Sequence, residues 1–164
     1  RDLQAVAVVN GPGSYTGLRV GLSAAKGICY ALKLPLICIN TLEWMAHGNR
    51  NQGTENICPM IDARRMEVFT ALYDIEMNEL IKPQPMILET SSFMDQLNEK
   101  RIAFIGNGAA KWKDLCHHPN ADFPSSHHDV VSMSNLSYEY FLLKKFSDLA
   151  YSEPFYTKEF HSNK

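Results

Sequence analysis

The sequence lacks several features that would assign a protein quickly to a class. It has no run of about 18 apolar residues, so no membrane-spanning helix is predicted. Its 16 basic and 18 acidic residues give a net charge of −2, without the basic excess that a large nucleic-acid footprint needs. Its four cysteines form no Cys-x-x-Cys pair and no signal-peptide pattern is present. The expectation is therefore a cytoplasmic protein with reduced core thiols.

Nucleotide-binding and nucleophile motifs are also missing. The glycine-rich loop at residues 10–17 contains no Gly-Lys-Ser/Thr. Its Gly-x-Gly-x-x-x-Gly spacing is one residue too long for the dinucleotide-binding signature. Ser14 is not framed as Gly-x-Ser-x-Gly, which excludes the nucleophile elbow of the α/β-hydrolases. By motif alone, this loop joins a strand to a helix and has no assigned purpose.

The strongest local pattern spans residues 6–32, which hold five of the nine glycines. An apolar run at residues 6–9 predicts a buried strand, and a helix of about fifteen residues follows the glycine loop. At about 100° per residue, one stripe of that helix is typical of a core-facing seam: Leu18, Leu22, Ala25, Cys29 and Leu32. The neighbouring stripe is nearly all small: Gly17, Gly21, Ala24, Ile28 and Ala31. That stripe allows close helix packing, either within the chain or with a partner.

The order of the remaining elements predicts an α/β fold. Leu36–Ile39 reads as a second buried strand, followed by a helix that Asn40 or Thr41 caps and that runs to about His47. Strand, helix and strand in this order favour a parallel sheet with crossover helices. The polar stretch at residues 48–56 reads as a link between two domains.

After this link, the pattern predicts further strands and short helices. A strand at 57–61 is predicted to return antiparallel at 66–73, where one face is better buried, and further strands are predicted at 82–89, at a sheet edge, and at 101–105. Three helices are predicted as well: one capped by Thr90 or Ser91, and one that runs through Trp112 and Leu115. The third is capped by Ser134 and has Leu136, Tyr140 and Leu143 on one side. The turn between the first two strands holds a charge cluster: Asp62, Arg64, Arg65 and Glu67. Two interpretations stay open, a contact with a nucleotide phosphate or a partner, and a self-paired surface turn.

Two blocks of sequence resemble the TsaB (YeaZ) family. The first is Gly-Pro-Gly-Ser-Tyr-Thr-Gly-Leu-Arg-Val-Gly at residues 11–21, followed by Ala-Lys-Gly and a Leu-Pro-Leu strand leading to Thr41. The second is Asp-Ala-Arg-Arg-x-Glu-Val-Phe at residues 62–69, and the Pro-x-Tyr at 154–156 resembles the family's terminal element. Members of this family are non-catalytic partners of TsaD in the synthesis of threonylcarbamoyladenosine on tRNA. Older naming groups both proteins with glycoprotease-like peptidases.

The resemblance implies an actin/hexokinase-like architecture. Residues 1–50 would be the remainder of an N-terminal actin-like domain, and residues 51–164 a C-terminal one with the last helix and a disordered tail. Family members begin with a β-hairpin, a third strand and a helix that have no counterpart here, so the chain is expected to be a fragment. In this superfamily a loop of the second domain lies near the nucleotide, and Gly106-Asn107-Gly108 occupies such a place, although a plain turn is favoured.

The functional expectation is a scaffold without catalytic residues. It would bind a TsaD-like subunit, together with a TsaE-like ATPase, and contact tRNA only through the complex. A homodimer through the same helix is an alternative. No cofactor is expected, except ATP or ADP at the complex interface. The predicted partner-binding residues are Tyr15, Thr16, Gly17, Leu18, Arg19, Gly21, Ala24, Ala25 and Ile28. The predicted nucleotide-proximal residues are Asp62, Arg64, Arg65, Gly106 and Gly108.

The competing class is an enzyme, either a glycoprotease-like peptidase or a small-molecule kinase of the same superfamily. TsaD-like relatives hold a metal with a His-x-x-x-His pair, and no two histidines have that spacing here. The histidines that suggest a metal lie beside prolines and read as loop residues: His117, His118, His127 and His128. No metal site is predicted. A kinase would need an acidic base beside the glycine loop, and none is present there.

Overall fold

The computed structural model describes residues 3–51, 53–126 and 130–155. In chain order, its elements are β1 (Val6–Gly11), α1 (Tyr15–Leu32), β2 (Leu36–Asn40), α2 (Thr41–Gly48), β3 (Asn56–Asp62), β4 (Glu67–Asp74), β5 (Glu79–Ile87), α3 (Met94–Glu99), β6 (Ile102–Ile105), α4 (Ala109–Lys113), β7 (Ala121–Asp122) and α5 (Val130–Leu142). The strands form a two-stranded sheet, β1-β2, and a five-stranded sheet ordered β5-β4-β3-β6-β7. The predicted α/β class is confirmed.

The smaller sheet is parallel and is covered on both faces. Val6 pairs with Leu36 and Val9 with Ile39, as the two apolar runs predict. Helix α1 packs on one face, and α5, from the other end of the chain, packs on the opposite face through Leu136. Burial on both faces explains why β1 and β2 are continuous apolar runs without alternation.

The last helix therefore returns to the first sheet, although the sequence placed it in the second domain. The segment after it continues along that sheet: the Ser147 N–H donates to the Leu36 carbonyl at 2.8 Å. The Ser147 hydroxyl accepts from the Cys38 N–H at 2.9 Å. The domain boundary after residue 50 stays a prediction.

The larger sheet is built on the β3–β4 hairpin and the parallel β3–β6 pair. One face holds an aromatic cluster in which Phe93, Phe104 and Trp112 meet edge to face, with ring centroids 5.4 to 5.9 Å apart. Helix α2 covers the other face and packs Leu42, Met45 and Ala46 against it. Between residues 70 and 73, strand β4 is buried on both faces, so the expectation of a single better-buried face is wrong there. The edge position of β5 is confirmed.

Four details of the helices differ from the predictions. Leu32 is half exposed because the chain reverses at Lys33, which adopts φ 53°, and Leu34 packs in the core instead. Leu143 follows the last residue of α5 and is exposed, as Leu142 is within the helix. Helix α3 begins after Phe93 and has no side-chain cap, so neither Thr90 nor Ser91 caps it. Ser134 lies inside α5 rather than before it.

The cysteines are free thiols within the packing of the molecule. Cys29, Cys58 and Cys116 are buried and Cys38 is partly buried, which confirms the prediction of small core residues. Burial raises the pKa of Cys58 to about 12, so this thiol stays protonated at physiological pH. Within the described ranges, no helix combines the length and the apolarity that a bilayer crossing requires.

Candidate functional site

Helix α1 is held by a serine cap at its start and an apolar seam along one side. The Ser14 hydroxyl accepts a hydrogen bond from the Gly17 N–H at 3.2 Å, the usual role of an N-cap serine. Leu18, Leu22 and Cys29 are buried in this seam. The predicted seam is therefore confirmed over three turns of the helix.

The small-residue stripe of α1 faces outward. Gly17, Ala24 and Ala31 are exposed, and Ile28 is 44% exposed although it is apolar. Gly21 lies at the edge of the stripe, where an added Cβ would sit 3.7 Å from Val8 Cγ2, an ordinary contact distance. The stripe, from Gly17 to Ala31, offers a surface of small side chains about 21 Å long, at about 1.5 Å per helical residue.

Two of the predicted partner-binding residues do not lie on this surface. Leu18 and Ala25 are only 8% and 5% exposed, because both point into the seam that packs on the sheet. The loop end of the site is exposed, and there the Arg19 guanidinium carbon lies 3.9 Å from the centroid of the Tyr15 ring. Thr16 is also exposed.

The opposite flank of α1 is covered by residues 147–155, which we call the C-terminal strap. The Lys26 ammonium donates to the carbonyl oxygens of Ala150 and Ser152 at 3.0 and 2.9 Å. At the end of the strap, the Phe155 N–H donates to the Asn10 carbonyl at 2.7 Å. The two flanks of α1 thus differ: one is occupied by the strap, while the other presents the small residues.

A cavity of about 240 Å³ lies beside the first turn of α1. Its lining residues are Val8, Val9, Pro12, Gly13, Ser14, Gly17, Leu18, Gly21 and Thr41. None of these side chains is a carboxylate, imidazole, thiol or amine, and the Ser14 hydroxyl already caps the helix. The lining therefore supplies no pair of groups for general acid–base catalysis.

The residues predicted to lie near a nucleotide come together at the carboxyl ends of β3 and β6. The Asp62 N–H donates to Asn107 Oδ1 at 2.9 Å, which ties the β3–β4 turn to the β6–α4 turn. The Lys111 ammonium donates to Asp62 Oδ1 at 2.6 Å. The sequence placed Asn107 in the Gly106–Gly108 turn but did not connect it to Asp62, and it gave no role to Lys111, because 45 and 49 residues separate the two from Asp62.

In the charged turn, Asp62 has a charged partner among the described residues and the two arginines do not. The hydrogen bond from Lys111, with a smaller contribution from the Arg64 N–H, lowers the pKa of Asp62. Arg64 and Arg65 are exposed, and within the described ranges their side chains form no ion pair with Asp62 or Glu67. The self-paired interpretation of this turn therefore fails for the two arginines.

The glycines of the second turn are explained by packing. Gly106 adopts φ +93°, and an added Cβ would overlap the Met60 carbonyl oxygen and lie 2.5 Å from Met45 Cε. An added Cβ on Gly108 would lie 2.9 Å from Val68 Cγ1. The chain needs glycine here so that the β6–α4 turn can lie against β3.

Two of the four histidines considered for a metal lie in the described residues. His117 is exposed, and His118 Nδ1 accepts a hydrogen bond from the Asn120 N–H at 3.2 Å. His127 and His128 lie outside the described residues. In the part of the chain that the structure describes, no three His, Cys, Asp or Glu side chains are grouped so as to hold a metal ion.

Comparison with known proteins identifies the family of this chain. A family model described as "TsaD: tRNA N6-adenosine threonylcarbamoyltransferase" matches residues 1–157. The chain is 32% identical over 121 residues to the tRNA threonylcarbamoyladenosine biosynthesis protein TsaB of Bacillus subtilis, covering 70% of this chain and 51% of the relative. It is 35% identical over 124 residues to the TsaB protein of Escherichia coli, covering 70% and 52%. The chain belongs to the TsaB (YeaZ) family.

The fold of this TsaB-family chain is shared with a solved relative. A Pseudomonas aeruginosa protein described as similar to peptidase YeaZ superimposes with a TM-score of 0.81 at 22% identity, over 95% of this chain and 74% of that one. Together with the family model that matches residues 1–157, this match confirms the predicted actin-like α/β architecture. The TsaB-family chain spans about half the length of the two curated relatives.

Proposed function

We propose that this TsaB-family chain is a scaffold subunit that binds a TsaD-like enzyme and supports transfer of a threonylcarbamoyl group to adenosine in tRNA. The names of the Bacillus subtilis and Escherichia coli relatives, both in tRNA threonylcarbamoyladenosine biosynthesis, support this process. The chain itself performs no catalytic step in this proposal. It acts in the cytoplasm, a TsaE-like ATPase joins the complex, and tRNA is contacted through the assembly.

The observation that carries the proposal is the exposed small-residue stripe of α1. Its neighbours Leu22 and Cys29 are buried, so the helix is already anchored without the stripe. Ile28 nevertheless leaves an apolar side chain in solvent beside Ala24 and Ala31. A second helix can approach such a surface closely, because small side chains shorten the distance between helix axes.

Co-purification with the TsaD-like subunit of the same organism tests the proposal, with complex mass measured by light scattering. The wild-type chain is expected to form a stoichiometric complex. Gly21→Leu should abolish it, because a bulky side chain on the stripe keeps the helices apart. Ala24→Leu should do the same, and since Ala24 is exposed this variant leaves the core untouched.

The matched control is Gly27→Leu, which makes the same change in the same helix. Gly27 is exposed, an added Cβ would meet nothing within 4 Å, and it lies about 120° around the helix from Gly21. This variant should bind normally. Normal binding by the Gly21 and Ala24 variants would show that the assigned face is wrong. Failure of the wild-type chain to bind at micromolar concentration would overturn the scaffold role and favour the enzyme alternatives.

A further inference from the structure

The charged turn between β3 and β4 presents two arginines whose side chains have no partner in the described structure. Arg64 and Arg65 are adjacent and exposed. Within the described ranges, the ion pairs of the larger sheet join Lys111 to Asp62 and Arg101 to Asp122, and neither involves these two arginines. Two neighbouring arginines therefore expose their side chains at the end of a hairpin.

One acidic group of the turn, Asp62, is already neutralised. Asp62 Oδ1 accepts from the Lys111 ammonium at 2.6 Å and from the Arg64 backbone N–H at 2.6 Å. The Lys111 side chain is only 19% exposed, so its charge is directed to Asp62 and to the Glu67 carbonyl rather than to solvent. Lys111 thus cancels the carboxylate that would otherwise attract the arginines. The positive charge of Arg64 and Arg65 stays available to a ligand.

The turn is also held in a fixed shape. The Ala63 N–H donates to the Glu67 carbonyl, the Glu67 N–H donates to the Arg64 carbonyl, and Asn107 accepts from the Asp62 N–H. Arg64 and Arg65 adopt φ values of 72° and 47°, a region that residues other than glycine rarely enter. A backbone fixed in this way reduces the entropy that is lost when a ligand binds.

We propose that Arg64 and Arg65 bind the phosphate backbone of RNA. The guanidinium group is planar and pairs with phosphate oxygens through two parallel hydrogen bonds, so adjacent arginines suit neighbouring phosphates. The residues lie on an exposed turn rather than in a closed pocket, which suits an extended polyanion. Two phosphate contacts form a small footprint, as expected for a chain of net charge −2. This inference rests on the proposed function, in which the RNA is tRNA, and it assigns this chain a direct contact of its own within the assembly.

The test measures tRNA binding by the complex of this chain with its TsaD-like subunit, using an unmodified tRNA transcript as the probe. Arg64→Ala with Arg65→Ala should weaken binding at least about tenfold, because two charge-assisted contacts are lost. The slope of log affinity against log salt should become shallower by about 2. Alanine carries the same Cβ as arginine, so the backbone strain of the turn is unchanged. The tRNA affinity of the Arg64→Lys, Arg65→Lys variant should lie between those of the wild type and the double-alanine variant, since lysine keeps the positive charge but cannot form two parallel hydrogen bonds to one phosphate.

The charge-matched control is Lys82→Ala with Lys100→Ala. Both lysines are exposed, and Lys100 precedes β6 at the end of the sheet opposite the turn, so tRNA binding should be unchanged. Wild-type tRNA affinity in the arginine variant would overturn the proposal. Loss of the TsaD-like subunit from that variant would assign the turn to a protein contact, and loss of ADP binding alone would assign it to a nucleotide. Both outcomes overturn the RNA proposal.

Failure of the proposed function is recognised separately. If the wild-type chain forms no complex, the same variants are compared for tRNA binding by the chain alone at low salt. A wild-type chain that binds tRNA in a manner sensitive to the two arginines would keep this inference without the scaffold role. A chain that does not bind tRNA under those conditions would overturn it.

Discussion

The two strand–glycine–helix turns of the molecule have similar sequences but differ after their first glycine. Gly11 and Gly106 both adopt positive φ, and an added Cβ on either would overlap a backbone carbonyl oxygen. The first joins β1 to α1 through residues 12–14, and the second joins β6 to α4 through residues 106–108. The first leads into a helix of 18 residues with a serine cap, and Gly13 beside it is exposed. The second leads into a helix of five residues without a side-chain cap, and its glycines lie against Met60.

The comparison shows that a glycine pattern does not by itself distinguish a surface from a packing contact. At Gly13, an added Cβ would lie 3.9 Å from the Leu18 side chain, an ordinary contact. At Gly106, the same atom would overlap the neighbouring strand. The first turn presents its helix to solvent, whereas the second brings Asn107 and Lys111 to the charged turn. Three predictions test this difference.

The largest effect is expected at Gly106. Gly106→Ala should lower the free energy of unfolding by about 3 kcal/mol, because a left-handed backbone and an overlap with Met60 both oppose the new Cβ. Urea denaturation measures the change. The control is Gly13→Ala, which should change stability by less than about 1 kcal/mol. Equal effects of the two substitutions would contradict the assignment of the second turn to packing.

An intermediate effect is expected at the start of α1. Ser14→Ala should destabilise the protein by about 1 kcal/mol, since the Gly17 N–H loses its acceptor. Ser14→Asp is the matched variant and should keep most of the stability, because aspartate also caps helices. Thermal unfolding followed by circular dichroism distinguishes the two. An alanine variant as stable as wild type would mean that the cap adds nothing to this helix.

The smallest effect is expected at Asp62, whose carboxylate is largely exposed. The pKa of Asp62 in the folded protein lies below the ordinary value of 3.8. Ionised Asp62 therefore stabilises the fold at pH values above 3.8, and this stabilisation is lost as the pH falls through the folded-state pKa. Asp62→Asn should therefore be slightly less stable than wild type near neutral pH, and the difference should vanish in acid. Lys111→Met should reduce the same pH dependence. A difference that is independent of pH would contradict the Lys111–Asp62 pair.

Much of the fold could be predicted because it depends on local pattern. The apolar runs predicted β1 and β2, and the periodicity of α1 predicted the burial of Leu18, Leu22 and Cys29. The prolines of β5 predicted an edge strand. The errors lie where tertiary contacts decide, as at Leu32, which is half exposed at the end of α1, just before the chain reverses at Lys33.

The candidate sites could be predicted only in part. The stripe of small residues on α1 follows from helical periodicity, so it could be separated from the buried seam in the sequence alone. The predicted contact residues nevertheless included Leu18 and Ala25, which are buried. The charged turn was visible as a cluster. Its ion pairing could not be predicted, because Asp62 pairs with Lys111 of α4 rather than with the arginines next to it in sequence.

The sequence by itself determined the α/β class, the family resemblance, and the two faces of α1, because periodicity and short motifs depend on neighbouring residues. Only the tertiary structure decided that the last helix returns to the first sheet, that the strap occupies one flank of α1, and that Lys111 neutralises Asp62. These contacts join residues more than 40 positions apart. Chain folding brings them together, and no local pattern encodes that proximity.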